Sequence, residues 1–142
     1  FKRYSGIQNY IDETIEFARN NKYVQTILGR RRPVWDIDSD NHIRKEAAKR
    51  MAINMPIQGT AAEMIKKAMI SIHNKIHSEE YLGIYDQAKM ILQVHDELLF
   101  EVPKNQVEEL QQMVKHEMEN ALTLSVPIVV DCGIGNSWFE AH

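Results

Sequence analysis

At 142 residues, 44% hydrophobic and 26% charged, the composition excludes a disordered chain, and no apolar run approaches the ~20 residues of a membrane helix, so one domain or part of one, with no membrane partner, is expected. The single cysteine, Cys132, excludes an internal disulfide, and with no signal peptide opening the chain a cytoplasmic location is expected. The net charge of −3 excludes a uniformly basic nucleic-acid binder, yet residues 22–75 hold 11 Lys or Arg against 5 Asp or Glu while residues 76–142 hold 3 against 12, which suits a phosphate-facing first part and a metal-facing or solubilising second part.

From Ser5, an expected N-cap, apolar residues recur at Ile7, Tyr10, Ile11, Ile15 and Ala18, the spacing of one helical face, until Asn20-Asn21 ends it. Phe1 already stands inside patterned sequence, so a piece of a longer protein is expected. Residues 23–28 favour a strand, Gly29 allows a turn, and Arg30-Arg31-Arg32 ahead of Pro33 gives a small hairpin with a basic rim. Three consecutive arginines read first as a solvated loop and second as phosphate contacts, to which the guanidinium is suited. Asp36, Asp38 and Asp40 alternate like the start of a calcium loop. Asn41 and Ala47 stand where such a loop needs its Gly and its bidentate Glu. The calcium reading is rejected, and Asp40 is expected to cap the next helix.

That helix starts at His42, with Ala47, Ala48, Met51, Ala52 and Met55 as its apolar stripe and Arg50 and Asn54 one turn apart on another face. Pro56 removes an N–H bond and crowds the preceding turn, so a disturbed helix with Gln58 at a kink is expected. Thr60 with Glu63 three residues on reads as a capping box. It opens a second helix whose Ala61, Met64, Ile65, Ala68, Met69, Ile72 and Ile76 form a long apolar face. Arg50, Asn54 and Gln58 read first as a solvated face. Alternatively, the two amides donate to minor-groove acceptors, which every base pair presents, while the arginine engages phosphate; that combination checks base-pair shape without reading sequence.

Residues 78–87 form a polar loop with Gly83. Met90, Leu92 and Val94 before His95-Asp96-Glu97, and Leu98, Phe100 and Val102 after it, fall on alternate positions, so the pattern predicts a hairpin with three ionisable side chains at its tip. Asp96 and Glu97 read first as polar turn residues; otherwise a divalent cation relieves their mutual repulsion. After Pro103 a helix turns Val107, Leu110, Val114, Met118, Ala121 and Leu122 toward a core and Glu108, Glu109, Glu117 and Glu119 toward water. Residues 128–132 read as a last strand and Trp138 as a core plug. Gly133-Ile134-Gly135 is too short for a dinucleotide fingerprint. Among His42, His73, His77, His116 and His142, only His73 and His77 are spaced as a ligand pair, and they read as polar surface.

Val94-His95-Asp96-Glu97 between two apolar strands resembles motif C of the family-A DNA polymerases, the bacterial DNA polymerase I type. Arg50-Met51-Ala52-Ile53-Asn54-Met55-Pro56-Ile57-Gln58-Gly59-Thr60-Ala61-Ala62-Glu63 resembles the same family's R-x-x-x-N-x-P-x-Q-G-T-A-A-D, with Glu63 in place of Asp. Leu28-Gly29-Arg30-Arg31-Arg32 before an acidic loop is similar to the family's link from fingers to palm, and residues 1–11 to the segment after its nucleotide-holding fingers helix. The resemblance covers essentially the whole chain. It implies an α+β fold, an antiparallel palm sheet with the motif C hairpin packed against several helices, with about residues 1–60 on the fingers side and about 61–142 in the palm.

It also implies template-directed transfer of nucleotides from deoxynucleoside triphosphates to a primer 3′ hydroxyl, with two Mg²⁺ ions and primer-template DNA. Asp96 becomes a metal-binding carboxylate, Glu97 its supporting neighbour and His95 a residue near the primer terminus. Arg50 falls on the template strand, Asn54 and Gln58 at the minor groove, and Arg30 and Arg31 at the DNA. The partner Asp of motif A, D-x-S-x-x-E-x-R, occurs nowhere in this sequence. The rest of the polymerase chain is therefore an expected partner, and the isolated chain is expected to be inactive. The readings of other classes are a non-enzymatic nucleic-acid or protein interaction module built on residues 22–75 and a His-Asp-Glu metal hydrolase.

Overall fold

The apolar repeat after Ser5 forms a helix, α1 (Ser5–Asn21), in the computed structural model, which describes residues 4–81, 84–85 and 87–141. Ser5 does not cap it. Ser5 is the first helical residue, and Tyr4 ahead of it makes no side-chain cap bond. The far end closes at Lys22, whose left-handed backbone (φ 62°) lets its N–H reach the Ala18 carbonyl at 2.8 Å. The Gly83 turn, the opening Phe1 to Arg3 and His142 lie outside the described residues.

The chain divides into two compact units, Phe1–Glu63 and Met64–His142. In the first, strands β1 (Tyr23–Gln25) and β2 (Arg31–Pro33) pair antiparallel, Tyr23 opposite Pro33 and Gln25 opposite Arg31. β1 stops short of the expected residue 28, because Thr26 turns the chain: its N–H donates to the Arg30 carbonyl and its own carbonyl accepts from Gly29, both at 2.9 Å. The acidic run after β2 makes a short 3-10 turn, Trp35–Asp38, that buries Ile37. Asp38 reaches back to Lys22 at 2.5 Å and Arg19 at 3.6 Å. The hydrogen bond from Lys22 holds its carboxyl below the ordinary value. The next helix is capped by Asn41, not Asp40: Asn41 Oδ1 accepts from the N–H groups of Ile43 (3.0 Å) and Arg44 (3.2 Å), since the residue directly before His42 is the one within reach of both.

Helix α2 (His42–Ile76) is one continuous helix of 35 residues with Pro56 inside it. The second helix start expected at Thr60 does not occur. An interior proline costs an isolated helix about 3 kcal/mol or more, and packing offsets it here. Ala48 and Ala52 are buried with Ala18, Val24, Val34 and Ile37, and the Tyr10 hydroxyl donates to the Ile53 carbonyl at 2.9 Å. Thr60 and Glu63 are not a capping box. The Thr60 hydroxyl donates to the Pro56 carbonyl (2.5 Å) and accepts from the Ile27 N–H (3.2 Å), while Glu63 Oε1 accepts from Arg30 Nε (3.0 Å). Gly59 completes this latch, because a Cβ there would lie 2.6 Å from Thr26 Cγ2. Thr26 is itself buried, and its Oγ1 accepts from the Arg30 N–H at 3.1 Å. Gly59, Thr60 and Glu63 thus fasten the first hairpin to α2.

In the second unit Ala68, Ile72 and Ile76 from the end of α2 pack with Tyr85, Ala88 and the face of α3 (Val107–Glu119) that carries Leu110, Met113 and Val114. Between them strands β3 (Lys89–Val94) and β4 (Glu97–Glu101) form the second hairpin. Its register breaks between Met90 and Leu92, leaving Ile91 as a bulge. Met90, Leu98, Phe100 and Val102 pack on the core as the alternation predicts, but the bulge turns Leu92 out, and it is 44% exposed. Two of the four acids expected in water are engaged. Glu117 takes Lys75 Nζ at 2.7 Å and the Ser71 hydroxyl, and Glu119 accepts the Val130 N–H at 3.1 Å. Residues 128–132 pair with no strand among the described residues. Trp138 begins a four-residue helix, α4 (Trp138–Ala141), and is 47% exposed rather than a core plug.

The latch makes Gly59→Ala change sign with its neighbour. Alanine gains roughly 1 kcal/mol in a helix interior, but the clash with Thr26 Cγ2 costs about 1–3 kcal/mol, so Gly59→Ala should destabilise the wild type. In a Thr26→Ser background, which keeps Oγ1 and removes the methyl group, it should stabilise. Denaturant unfolding of the four variants decides this; the same sign in both backgrounds contradicts the packing described.

Burial pushes the Glu117 carboxyl up, but the hydrogen bonds from Lys75 and Ser71 outweigh it and hold the group below its ordinary value of about 4.5. The bond to Glu117 in turn raises Lys75 above about 10.5. Their stabilisation is therefore present between those values, is lost as pH falls through the folded-state value of Glu117, and is lost at high pH through that of Lys75. With Lys75 partly exposed, Glu117→Gln should lose only about 1–2 kcal/mol near neutral pH. The gap from wild type should close in acid; a gap that stays constant down to pH 3 contradicts the pairing.

Candidate functional site

The hairpin latched to α2 sets Arg30, Arg31 and Arg32 over a stripe of that helix. Met51, Asn54, Met55 and Gln58 recur at the three- and four-residue steps that put side chains on one helical face, and with Gly59 and the three arginines they line a cleft of about 470 Å³. Of the residues the sequence singled out, Arg30, Arg31, Asn54 and Gln58 are brought together here. Arg50 is exposed on α2 and is not among the lining residues. Arg32, Met51, Met55 and Gly59 were not singled out. Arg32 had a signal in the arginine run, whereas the methionines read as core because they share the stripe of Ala48 and Ala52.

Each of the first two arginines is held from behind. Arg30 Nε sits on the Glu63 carboxylate, and the Arg31 guanidinium lies 4.6 Å over the ring of Tyr23, which meets Phe17 edge to face at 5.5 Å. Three arginines, two primary amides and two methionines lining one cleft make a surface suited to a polyanion with hydrogen-bonding groups between its charges.

The second place is the tip of the β3–β4 hairpin. Val94 pairs with Glu97, so His95 and Asp96 are the two turn residues, and His95 takes a left-handed backbone (φ 52°). That conformation costs a non-glycine residue of order 1 kcal/mol, and histidine is among the residues that tolerate it. The Gln93 side chain braces the turn by donating to the His95 carbonyl. His95, Asp96 and Glu97 are all exposed, which makes the tip a presenter of carboxylates. Among the described residues no three His, Cys, Asp or Glu side chains gather as a metal cage. His73 and His77 stack at 4.2 Å on α2, with His77 Nδ1 3.1 Å from the His73 carbonyl. The cleft belongs to the first unit and the tip to the second.

Comparison with known proteins bears on both places. The family model of DNA polymerase family A matches residues 1–140. The chain is similar to DNA polymerase I of Streptococcus pneumoniae serotype 4, with 45% identity over 141 residues, covering 99% of this chain and 16% of that protein. It is similar also to DNA polymerase I of Deinococcus radiodurans, with 44% identity over 140 residues, 99% of this chain and 14% of that one. Its fold matches the POL domain of Pol1 from M. smegmatis, solved in complex with DNA primer-template and dNTP, with a TM-score of 0.92 and 44% identity over 99% of this chain and 24% of that one. The chain thus spans a minor part of the length of each of these relatives.

Proposed function

The chain belongs to DNA polymerase family A, and from that premise we propose that it is the C-terminal portion of a DNA-directed DNA polymerase, which transfers deoxynucleotides from their triphosphates to a primer 3′ hydroxyl as a template directs. The observation that carries this reading is a family match that runs through residues 1–140 and includes both the cleft and the tip. About residues 1–60 serve on the fingers side and about 61–142 in the palm. The setting is DNA replication and repair in the cytoplasm.

Arg30 and Arg31 engage backbone phosphates, Arg50 the template strand, and Asn54 and Gln58 the minor groove at the terminal base pair. Amides suit that place because every base pair offers minor-groove acceptors to an N–H donor, so a mismatch is sensed by its displaced edge. The solved relative's primer-template and dNTP support the same partners here. At the tip, His95 lies near the primer terminus, Asp96 is the metal-binding carboxylate and Glu97 its support. The donors fit magnesium: hard carboxylate oxygens on an exposed turn. Asp96 would hold the metal together with a carboxylate from elsewhere in a longer polymerase chain. When bound, a pair of such ions supplies charge stabilisation to the attacking and leaving oxygens of the displacement.

Because no sequence of the D-x-S-x-x-E-x-R type occurs in these 142 residues, the isolated chain should not extend a primer. Template-dependent incorporation by the purified chain, surviving the removal of host polymerase, contradicts that. In the complete enzyme, Asp96→Asn keeps the size of the side chain and removes its charge. If the carboxylate supplies about 3–5 kcal/mol of transition-state stabilisation, single-turnover incorporation should fall by roughly 10²–10⁴ with primer-template affinity little changed. Glu101→Gln on the same hairpin should fall far less. An Asp96→Asn enzyme within about tenfold of wild type overturns the assignment of the tip.

A further inference from the structure

Glu63 is an acid where a phosphate-binding wall has least use for one. Its side chain is only 10% exposed; Oε1 lies 3.0 Å from Arg30 Nε, and Oε2 is buried with no hydrogen-bond partner among the described residues. Arg30, by contrast, is 58% exposed and lines the cleft. Both ends of Arg30 are fixed. Its backbone N–H donates to Thr26 Oγ1 and its carbonyl accepts from the Thr26 N–H, while the far end is held by Glu63. A guanidinium that gives its Nε–H to a carboxylate still has two NH₂ groups to offer. A buried carboxylate with one unsatisfied oxygen also holds that arginine firmly, since losing it leaves an uncompensated buried charge.

We propose that Glu63 is a positioning residue for DNA binding: it grips Arg30 by the Nε edge so that the NH₂ groups of the guanidinium meet a backbone phosphate of the primer-template in the cleft. The proposal rests on the reading of this cleft as a DNA-binding face. It also makes a prediction of sign. An acid that did nothing but stand near the cleft would repel the polyanion, and neutralising it would tighten binding. A positioning acid, once neutralised, loosens it.

The test is primer-template affinity, by fluorescence anisotropy across a salt series, in the full polymerase chain that carries this segment. Glu63→Gln and Arg30→Ala should each weaken binding by roughly three- to tenfold. The double variant should bind no more weakly than Arg30→Ala alone, because Glu63 acts through Arg30. At saturating primer-template, Glu63→Gln should leave kcat unchanged and place its defect in KM for DNA, and Glu63→Asp should bind nearer to wild type than Glu63→Gln does. Unchanged or tighter binding by Glu63→Gln beside a weakened Arg30→Ala overturns the proposal while the cleft reading stands; so do additive losses in the double variant. Wild-type affinity in Arg30→Ala overturns both. Should Glu63→Gln fail to fold, Arg30→Lys decides, for it keeps the charge but has no Nε edge: a loss near that of Arg30→Ala supports the proposal, and wild-type affinity sinks it.

Discussion

The attachment of the first hairpin to α2 is the constraint on which the basic half of this chain depends. A three-residue β-ladder is too short to hold itself. Three contacts to the helix hold it instead: the buried Glu63 carboxylate on Arg30, the Thr60 hydroxyl on the Ile27 N–H, and the close approach of Gly59 to Thr26. The same contacts bear on the helix. Thr60 engages the carbonyl of the very proline that weakens the ladder, and Ala52, the residue that loses its hydrogen bond to Pro56, is wholly buried in the core of the first unit. Helix continuity, hairpin placement and the spacing of cationic groups over amides are one piece of packing.

That coupling explains where the sequence could be read and where it could not. Periodicity is a local property, so α1, the second hairpin and the apolar faces of α2 and α3 were legible from it, and local strand and turn propensity showed the first hairpin. Thr60 and Glu63 were misread because a capping box and a hairpin latch share one spacing; which backbone N–H the hydroxyl meets depends on Ile27, 33 residues away. Pro56 was read as disturbing the helix from its local effect alone, whereas one helix runs through it with Ala48 and Ala52 buried ahead of it. Glu117 looked like one more solvated acid until Lys75 and Ser71 came across from α2, and the bulge at Ile91 turned Leu92 outward against a clean alternation. For residues 128–132 and Trp138, strand propensity and aromatic size found no partner among the described residues to satisfy them.

The candidate site divides along the same line. Arg50 and Asn54 were legible as neighbours because a four-residue step on a helix fixes a shared face, Gln58 joins Asn54 in the cleft although Pro56 was expected to displace it, and the arginine run was legible because nothing else in the chain is so basic. Arg50 shares that step and yet does not line the cleft. Asp96 carries no signal by spacing alone, since an acid in a two-residue turn is ordinary. Its significance came from resemblance, and the structure adds that the turn takes a left-handed conformation at His95 and is braced by Gln93.

Side-chain NMR shows, without any ligand, whether the buried Glu63 carboxylate holds Arg30 by its Nε edge. In the ¹⁵N-labelled chain, the Arg30 Nε–Hε proton should exchange with water far more slowly than that of Arg32, and Glu63→Gln should bring the two rates close together. Fast exchange at Arg30 in the wild-type chain, equal to that of Arg32, would mean that the latch does not exist in solution.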